Sequence, residues 1–286
     1  DILPGEERLS IDILSPDKVT EKAEGIGVAK ANNTIRGTIA LGVLAGAFIA
    51  FAGEFYTLAV FDTGIAASLT RILGGLVFSL GLILVVITGA ELFTGNTLLI
   101  IAFMTRKITS YLLLRNWVLV YIGNLVGALF IVVLVFYSEQ WKVGGYAFGA
   151  QALYIAVTKV NNDWITLFVR GILANALVVM AVWLSYSGRS LTDKLLAVIF
   201  PITAFVSAGF EHSIANMYFI PFGIMVKSIP EVVEVYQQTH GTASLESLTY
   251  STFIFNNLIP VTLGNIIGGS VLVGLAYWFV YLHKRF

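Results

Sequence analysis

Two short polar stretches interrupt apolar parts of the chain, and they carry its most reactive side chains. Each holds a glycine, a glutamate and an asparagine at identical spacing: Gly89, Glu91 and Asn96, then Gly209, Glu211 and Asn216. A carboxylate in hydrocarbon is costly unless it is paired, hydrogen-bonded or protonated. We therefore expect Glu91 and Glu211, with their asparagines, to stabilise the backbone where two helices break.

A histidine and a threonine add proton chemistry to these stretches. His212 directly follows Glu211, and imidazole changes charge near neutral pH. Its equivalent in the first stretch is Leu92, so the repeat itself does not require a histidine. Thr94 lies in the first stretch, and its hydroxyl can donate to a carboxylate or an imidazole. A lone histidine is more often a satisfied core residue, and a threonine can bond its own helix. Their placement opposite one another favours a functional role for both.

The elements that carry these residues belong in a membrane. Mean hydropathy is +0.86, and 57% of residues are apolar while 12% are charged, far below the share of charge in soluble domains. A spanning helix needs about 20 mainly apolar residues. The pattern predicts an all-α membrane protein with six spans, near 37–60, 72–104, 112–136, 165–187, 195–226 and 252–282. The second and fifth are too long for one span and are interrupted at the polar stretches.

Basic residues orient these spans, because Lys and Arg accumulate on the cytoplasmic side. With both termini inside, 12 of the 17 basic residues lie on the inner side, Arg8, Lys284 and Arg285 among them. This predicts a cytoplasmic segment with a short surface helix over 1–35, spanning regions over 36–138 and 165–286, and a periplasmic loop over 139–164. The 17 basic and 17 acidic residues cancel, so nothing suggests a nucleic-acid partner.

The two spanning regions repeat one another. Gly42 in the first span matches Gly171 in the fourth, and a Gly-Asn-x-x-Gly motif holds Asn124 in the third span and Asn265 in the sixth. Three spans per copy require the copies to insert with opposite orientation, an arrangement that places a site near the midplane between paired broken helices. Amides freed at the breaks carry partial positive charge, which suits an anion.

Other polar residues have two interpretations each. Asn124 and Asn265 are predicted to tie helices together. Asn175 occupies the position of Gly46 in the other repeat and could face a path. Lys159, in the loop before the fourth span, could concentrate anions at an entrance, although an ordinary solvated lysine is the default. There is no cysteine and no cluster of metal ligands at a known spacing, so we expect no metal site and no cofactor.

Three motifs resemble those of the formate/nitrite transporter family, closest to its formate channels: GFEHSIANM (209–217), YSGRS (186–190) and NLIPVT (257–262). The resemblance covers about residues 16–284. It implies a homopentamer in the bacterial inner membrane, with an aquaporin-like fold and one pore in each protomer. It also implies that His212 and Thr94 form the central selectivity pair. Further path residues are implied at an inner constriction (Leu92 and Phe205), an outer one (Phe78 and Val178) and near the outer entrance and chamber (Lys159 and Asn175).

The functional hypothesis is a channel for small monovalent anions, formate above all, with His212 linking permeation to protons. The residues do not separate formate from nitrite, acetate, lactate or hydrosulfide. The alternative is a channel for neutral solutes such as glycerol, but the chain lacks the paired Asn-Pro-Ala motifs of such channels. A more remote alternative is an intramembrane enzyme that uses His212, Ser213 and Glu211, but side chains adjacent on a chain do not point at one another. We therefore do not expect an enzyme.

Overall fold

A computed structural model describes residues 13–241 and 245–283, and this part of the chain is mainly helical and contains no strands. Arg8, Lys284 and Arg285, used above for orientation, lie outside the described residues. The helices are α1 (Pro16–Ala31), α2 (Ile35–Val60), α3 (Ala67–Thr88), α4 (Phe93–Met104), α5 (Ser110–Tyr137), α6 (Ala147–Val160), α7 (Trp164–Ser187), α8 (Leu191–Ser207), α9 (Ser213–Val226), α10 (Pro230–His240) and α11 (Tyr250–Tyr281).

Five of these helices, α2, α3, α5, α7 and α11, are long and apolar enough to cross a membrane. The second predicted span consists of α3 followed by the short α4. The fifth is divided between α8 and α9, and neither half reaches spanning length alone. The all-helical membrane fold is confirmed, and the six-span topology stays a prediction.

The breaks have the same local cause in both places. Gly89 and Gly209 end their helices with φ of 74° and 73°, a left-handed conformation that glycine adopts without a Cβ penalty. Leu92 and His212 follow in extended conformation and precede the next helices. Each break thus leaves a half-helix start deep inside the molecule.

Close contacts between helices rely on the glycine pairs noted in the sequence. A Cβ on Gly46 would overlap the carbonyl of Asn124, and one on Gly268 would overlap that of Ile172. The helix pairs α2–α5 and α7–α11 are therefore backbone-to-backbone contacts, which small residues permit in membranes.

The repeat extends further than the sequence predicts. Residues 139–164, expected to be a loop, contain the helix α6, which occupies the same place before α7 that α1 occupies before α2. The predicted surface helix, α1, is packed rather than solvated: Val19, Ala23 and Ala31 are buried. Each repeat therefore begins with a short helix that covers the break, and α10 has no counterpart in the first repeat.

The turn between α7 and α8 follows from capping. Ser190 and Asp193 form a capping box at the start of α8, which satisfies amides that the helix leaves free. Hydrogen bonds from Ser190 lower the pKa of Asp193 at this exposed turn. The YSGRS motif thus has a structural role where two helices reverse direction.

Candidate permeation site

Two buried asparagines hold the broken backbone. Asn124 Oδ1 accepts from the Phe93 amide at 3.0 Å, while its Nδ2 donates to the carbonyls of Gly42 (2.8 Å) and Glu91 (2.9 Å). Asn265 makes the equivalent three bonds, to Ser213 (2.9 Å), Gly171 (2.8 Å) and Glu211 (3.0 Å). Lipid cannot satisfy such groups, so each asparagine replaces the bonds that the break removes.

The first break carries a charged cluster on the side where α1 lies. Lys30 Nζ lies 3.4 Å from Glu91 Oε2 and donates to Asn96 Oδ1 at 2.7 Å. Asn96 Nδ2 donates to Glu91 and, at 2.9 Å, to Asn116 Oδ1. Asn116 in turn donates to the Lys30 carbonyl at 3.3 Å. Glu91, whose side chain is 5% exposed, is therefore compensated by a cation and an amide.

The second break carries the same cluster on the α6 side. Lys159 Nζ lies 2.9 and 3.1 Å from the two oxygens of Glu211. Asn216 Nδ2 donates to Glu211 and Asn257 at 2.7 Å each, and Asn257 donates to the Lys159 carbonyl at 2.9 Å. Lys159 is thus neither in a loop nor freely solvated: it lies in α6, its side chain is 16% exposed, and it forms an ion pair.

The sequence interpretation missed Lys30, Asn116 and Asn257. Spacing could have found them. Lys30 lies 12 residues before Gly42, and Lys159 lies 12 residues before the equivalent Gly171. In the same way, Asn116 and Asn257 each lie seven residues before their equivalent glycines, Gly123 and Gly264. Extending the repeat beyond the spans would have predicted both clusters complete.

At the centre, the two breaks meet through one hydrogen bond. Thr94 Oγ1 lies 2.8 Å from His212 Nε2, and both residues are buried. The Ala215 amide donates to His212 Nδ1 at 3.1 Å, so Nδ1 carries no proton in this arrangement. The neutral imidazole then has its proton on Nε2 and donates to Thr94. The Thr94 hydroxyl proton is left free for another acceptor.

A polar cluster supports Thr94 from behind. Its carbonyl accepts from the Thr97 hydroxyl at 2.6 Å and from Asn175 Nδ2 at 3.2 Å. Asn175 also donates to the Asn265 carbonyl at 2.6 Å, and its Oδ1 has no hydrogen-bond partner. Asn175 therefore packs in this cluster. The equivalent positions of Thr94, Thr97 and Asn175 in the other repeat are all non-polar: Ile214, Met217 and Gly46.

Beside His212 lies an apolar collar around a cavity of about 10 Å³, which is about the room that one water needs. The collar consists of Ile49, Phe78, Leu82, Leu92, Val178, Ile202 and Phe205. Its narrowness excludes solutes that keep a hydration shell.

The four residues implied for the two constrictions, Leu92, Phe205, Phe78 and Val178, all line the central cavity. The ring of Phe205 packs edge-to-face on Phe78, with centroids 6.0 Å apart, and both rings also border the pocket on the α6 side. Leu92 also borders the pocket on the α1 side. The two rings meet because α3 and α8 lie side by side. Separate inner and outer constrictions stay a prediction.

Pockets lead to the collar from both sides. The α1-side pocket, of about 190 Å³, contains Lys30 and Asn96 in its wall. The α6-side pocket, of about 80 Å³, contains Lys159, Glu211 and His212. It opens into a funnel of about 670 Å³ lined by three cations, Arg71, Lys159 and Arg170, and one carboxylate, Glu211. The funnel wall therefore has a net charge of +2, which attracts anions.

Paired broken helices, positive vestibules and a narrow apolar constriction with one imidazole define a membrane channel or transporter for small solutes. A model of the formate/nitrite transporter family matches residues 17–279, and the chain belongs to this family.

Named relatives give the same result. The chain is 44% identical to the formate channel FocA of Escherichia coli K12, over 96% of both chains, and 37% identical to a probable formate transporter of Methanothermobacter thermautotrophicus, over 94% of this chain and 98% of that one. Among solved structures it resembles a pentameric formate channel with formate bound, with a TM-score of 0.77 and 40% identity, over 87% of this chain and 98% of that chain.

Proposed function

We propose that this protein is a formate channel, which conducts formate and similar small monovalent anions through one pore in each protomer. The observation that carries the proposal is the Thr94–His212 hydrogen bond of 2.8 Å, placed beside an apolar collar between two pockets with lysines in their walls. Formate channels among the relatives support formate as the substrate.

Binding at the centre follows from the free donors. A carboxylate arriving from either pocket competes with Thr94 for the Nε2 proton of His212 and accepts a second bond from the Thr94 hydroxyl. Both donors are preorganised, because Ala215 holds the ring of His212 and Thr97 holds the carbonyl of Thr94. The site thus replaces part of the hydration shell that the collar removes.

Passage through the collar favours the neutral acid. Transferring a proton from imidazolium to a carboxylate costs about 3 to 4 kcal/mol in water, whereas an unpaired ion in a dry interior costs several kcal/mol or more. Protonation of His212 at Nδ1 would break its bond to the Ala215 amide, so imidazolium forms only while an anion stabilises it. Water on the entry side supplies the proton that forms this imidazolium. Formate then takes one proton from it, which returns His212 to the neutral imidazole. Formate crosses as formic acid and releases the proton to water on the far side.

Orientation and assembly complete the proposal. The excess of basic residues on the α1 side supports an orientation with both termini in the cytoplasm and with the funnel of Arg71 and Arg170 outside. The membrane is then the bacterial inner membrane, and the resemblance to a pentameric channel supports a homopentamer.

Formate uptake into liposomes that contain the purified protein tests this function, at pH 5.5 and 7.5, with glycerol as the control solute. We expect formate uptake that is faster at pH 5.5 and no glycerol uptake. Entry of glycerol without formate would establish a channel for neutral solutes instead. Protein-free liposomes measure the leak of formic acid through lipid.

A further inference from the structure

Glu54 is a carboxylate on the membrane-facing side of α2. It is half-buried and lies in a stripe with Phe51, Phe55 and Leu58, which are 46%, 39% and 37% exposed. The Tyr218 hydroxyl is close enough to be influenced by the charge of Glu54, and it makes no hydrogen bond. A carboxylate has about four acceptor sites, so one hydroxyl could not satisfy it. Within the described chain Glu54 has no hydrogen bond and no ion pair.

Asn256 is a second unsatisfied polar side chain on the perimeter. It is exposed on α11, next to Phe255 and Ile259, which are 62% and 39% exposed. It lies in a π-helical turn, Phe253–Leu258, a distortion often found at functional positions. Its amide makes no hydrogen bond to any residue that the structure describes. Any partner of this amide therefore lies outside the described chain.

The two groups lie at similar distances from the ends of their helices. Glu54 is six residues before the end of α2 at Val60, and Asn256 is six residues after the start of α11 at Tyr250. With about 1.5 Å of rise per residue, each is about 9 Å from its helix end. In the six-span topology both ends lie on the α6 side of the membrane.

They also lie on different flanks of the molecule. In one copy α2 packs on α3 and α5, while α11 packs on α7. Within the described chain, α6 and α9 pack against both α2 and Phe253–Leu258, and no hydrogen bond joins Glu54 to Asn256. A head-to-tail contact between two copies can bring the flanks together, and such contacts close into a ring.

We propose that Glu54 of one copy binds Asn256 of the next copy in the assembled ring. The Asn256 amide donates to the carboxylate, and the surrounding Phe51, Phe55 and Ile259 seal the contact from lipid. Polar side chains link helices in this way within membranes. The inference depends on the ring-shaped oligomer of the proposed function, and it names the faces of the chain that form the interface.

Cysteine cross-linking tests the contact directly, because the chain has no cysteine of its own. In the double variant E54C/N256C, mild oxidation in liposomes should produce a ladder of cross-linked species that ends at the full ring. Co-reconstituted single variants, E54C with N256C, should produce dimers and nothing larger. The matched control combines N256C with I72C, which replaces a half-exposed residue in the outer half of α3.

A second measurement uses the thermal dissociation of the oligomer. E54L and N256L should each lower the dissociation temperature by several degrees, and the double variant should lower it no further than one of them. E54Q keeps hydrogen-bonding groups and should retain most of the stability.

An intact oligomer with no E54C/N256C cross-link, or with additive losses, would overturn the contact while leaving the ring and the channel intact. A monomeric protein that still conducts formate would overturn the ring itself.

Discussion

Thr94 Oγ1 and His212 Nε2 lie 2.8 Å apart although 118 residues separate them in the chain. Each comes from a different repeat, and each stands at a helix break. The chemistry of the pore is thus concentrated where the two repeats differ, because the repeat equivalents of Thr94 and His212 are Ile214 and Leu92.

The proton role of His212 predicts the outcome of H212N. Asparagine can donate a hydrogen bond but cannot transfer a proton, so we expect formate flux to fall at least tenfold and to lose its increase at low pH. Flux should be measured in liposomes between pH 5 and 8. An unchanged pH profile would show that His212 does not deliver the proton.

The role of the Thr94 hydroxyl predicts a difference between T94S and T94V. Serine keeps the donor and should keep most of the flux. Valine removes a hydrogen bond worth about 1 kcal/mol and should reduce flux by roughly five- to tenfold. Equal flux in both variants would remove Thr94 from the site.

Thr97 is predicted to act through Thr94. T97V removes the 2.6 Å bond to the Thr94 carbonyl and should lower maximal flux a few-fold. Its effect on protein stability should be no larger than that of a control variant that also loses a buried hydroxyl. Thr105 provides that control, since its buried hydroxyl bonds the Ala102 carbonyl at 3.2 Å away from the collar. If T105V lowers flux as much as T97V, the effect is not one of positioning.

The buried ion pair between Lys159 and Glu211 predicts a particular pattern of stability. Removing one partner leaves an uncompensated charge, which costs about 3 to 5 kcal/mol. K159M and E211Q should therefore each lower the melting temperature more than the double variant does. The exposed pair Lys142–Glu139 is the control, and K142M should cost less than about 1 kcal/mol. Additive losses at Lys159 and Glu211 would contradict the pairing.

The Phe78–Phe205 contact predicts the size limit of the pore. F205A should admit larger anions such as lactate, and glycerol as well, because the collar loses a ring. F200A is the matched variant on the same helix, where the ring is 71% exposed on the surface of the chain, and it should behave as the unmodified protein. Retained exclusion of glycerol by F205A would place the size filter elsewhere.

Sequence patterns predicted the helix breaks well because the same motif occurs in both repeats. Glycine, glutamate and asparagine at one spacing require the same backbone in both repeats, and the structure has it at Gly89 and Gly209. The pairing of Lys30 with Glu91 escaped prediction because α1 is polar enough to look like a surface helix. Whether such a helix is buried depends on the elements that pack over it, and hydropathy alone does not predict that packing.

The arrangement of Phe205 shows a different limit. Burial of this ring follows from the apolar pattern of α8, but its contact with Phe78 depends on how α3 and α8 lie against each other. No local spacing encodes that packing. The hydrogen bonds of Asn175 are equally hard to predict from sequence, because they join three separate helices.

The duplicated Lys–Glu–Asn–Asn clusters have a consequence for the direction of transport. Within the clusters themselves, a solute meets the same charges in the same order from the α1 side and from the α6 side. The clusters alone therefore favour neither direction of transport. Any bias between import and export must come from the parts that break the duplication: the α6-side funnel with Arg71 and Arg170, α10, and the cluster of Thr94, Thr97 and Asn175.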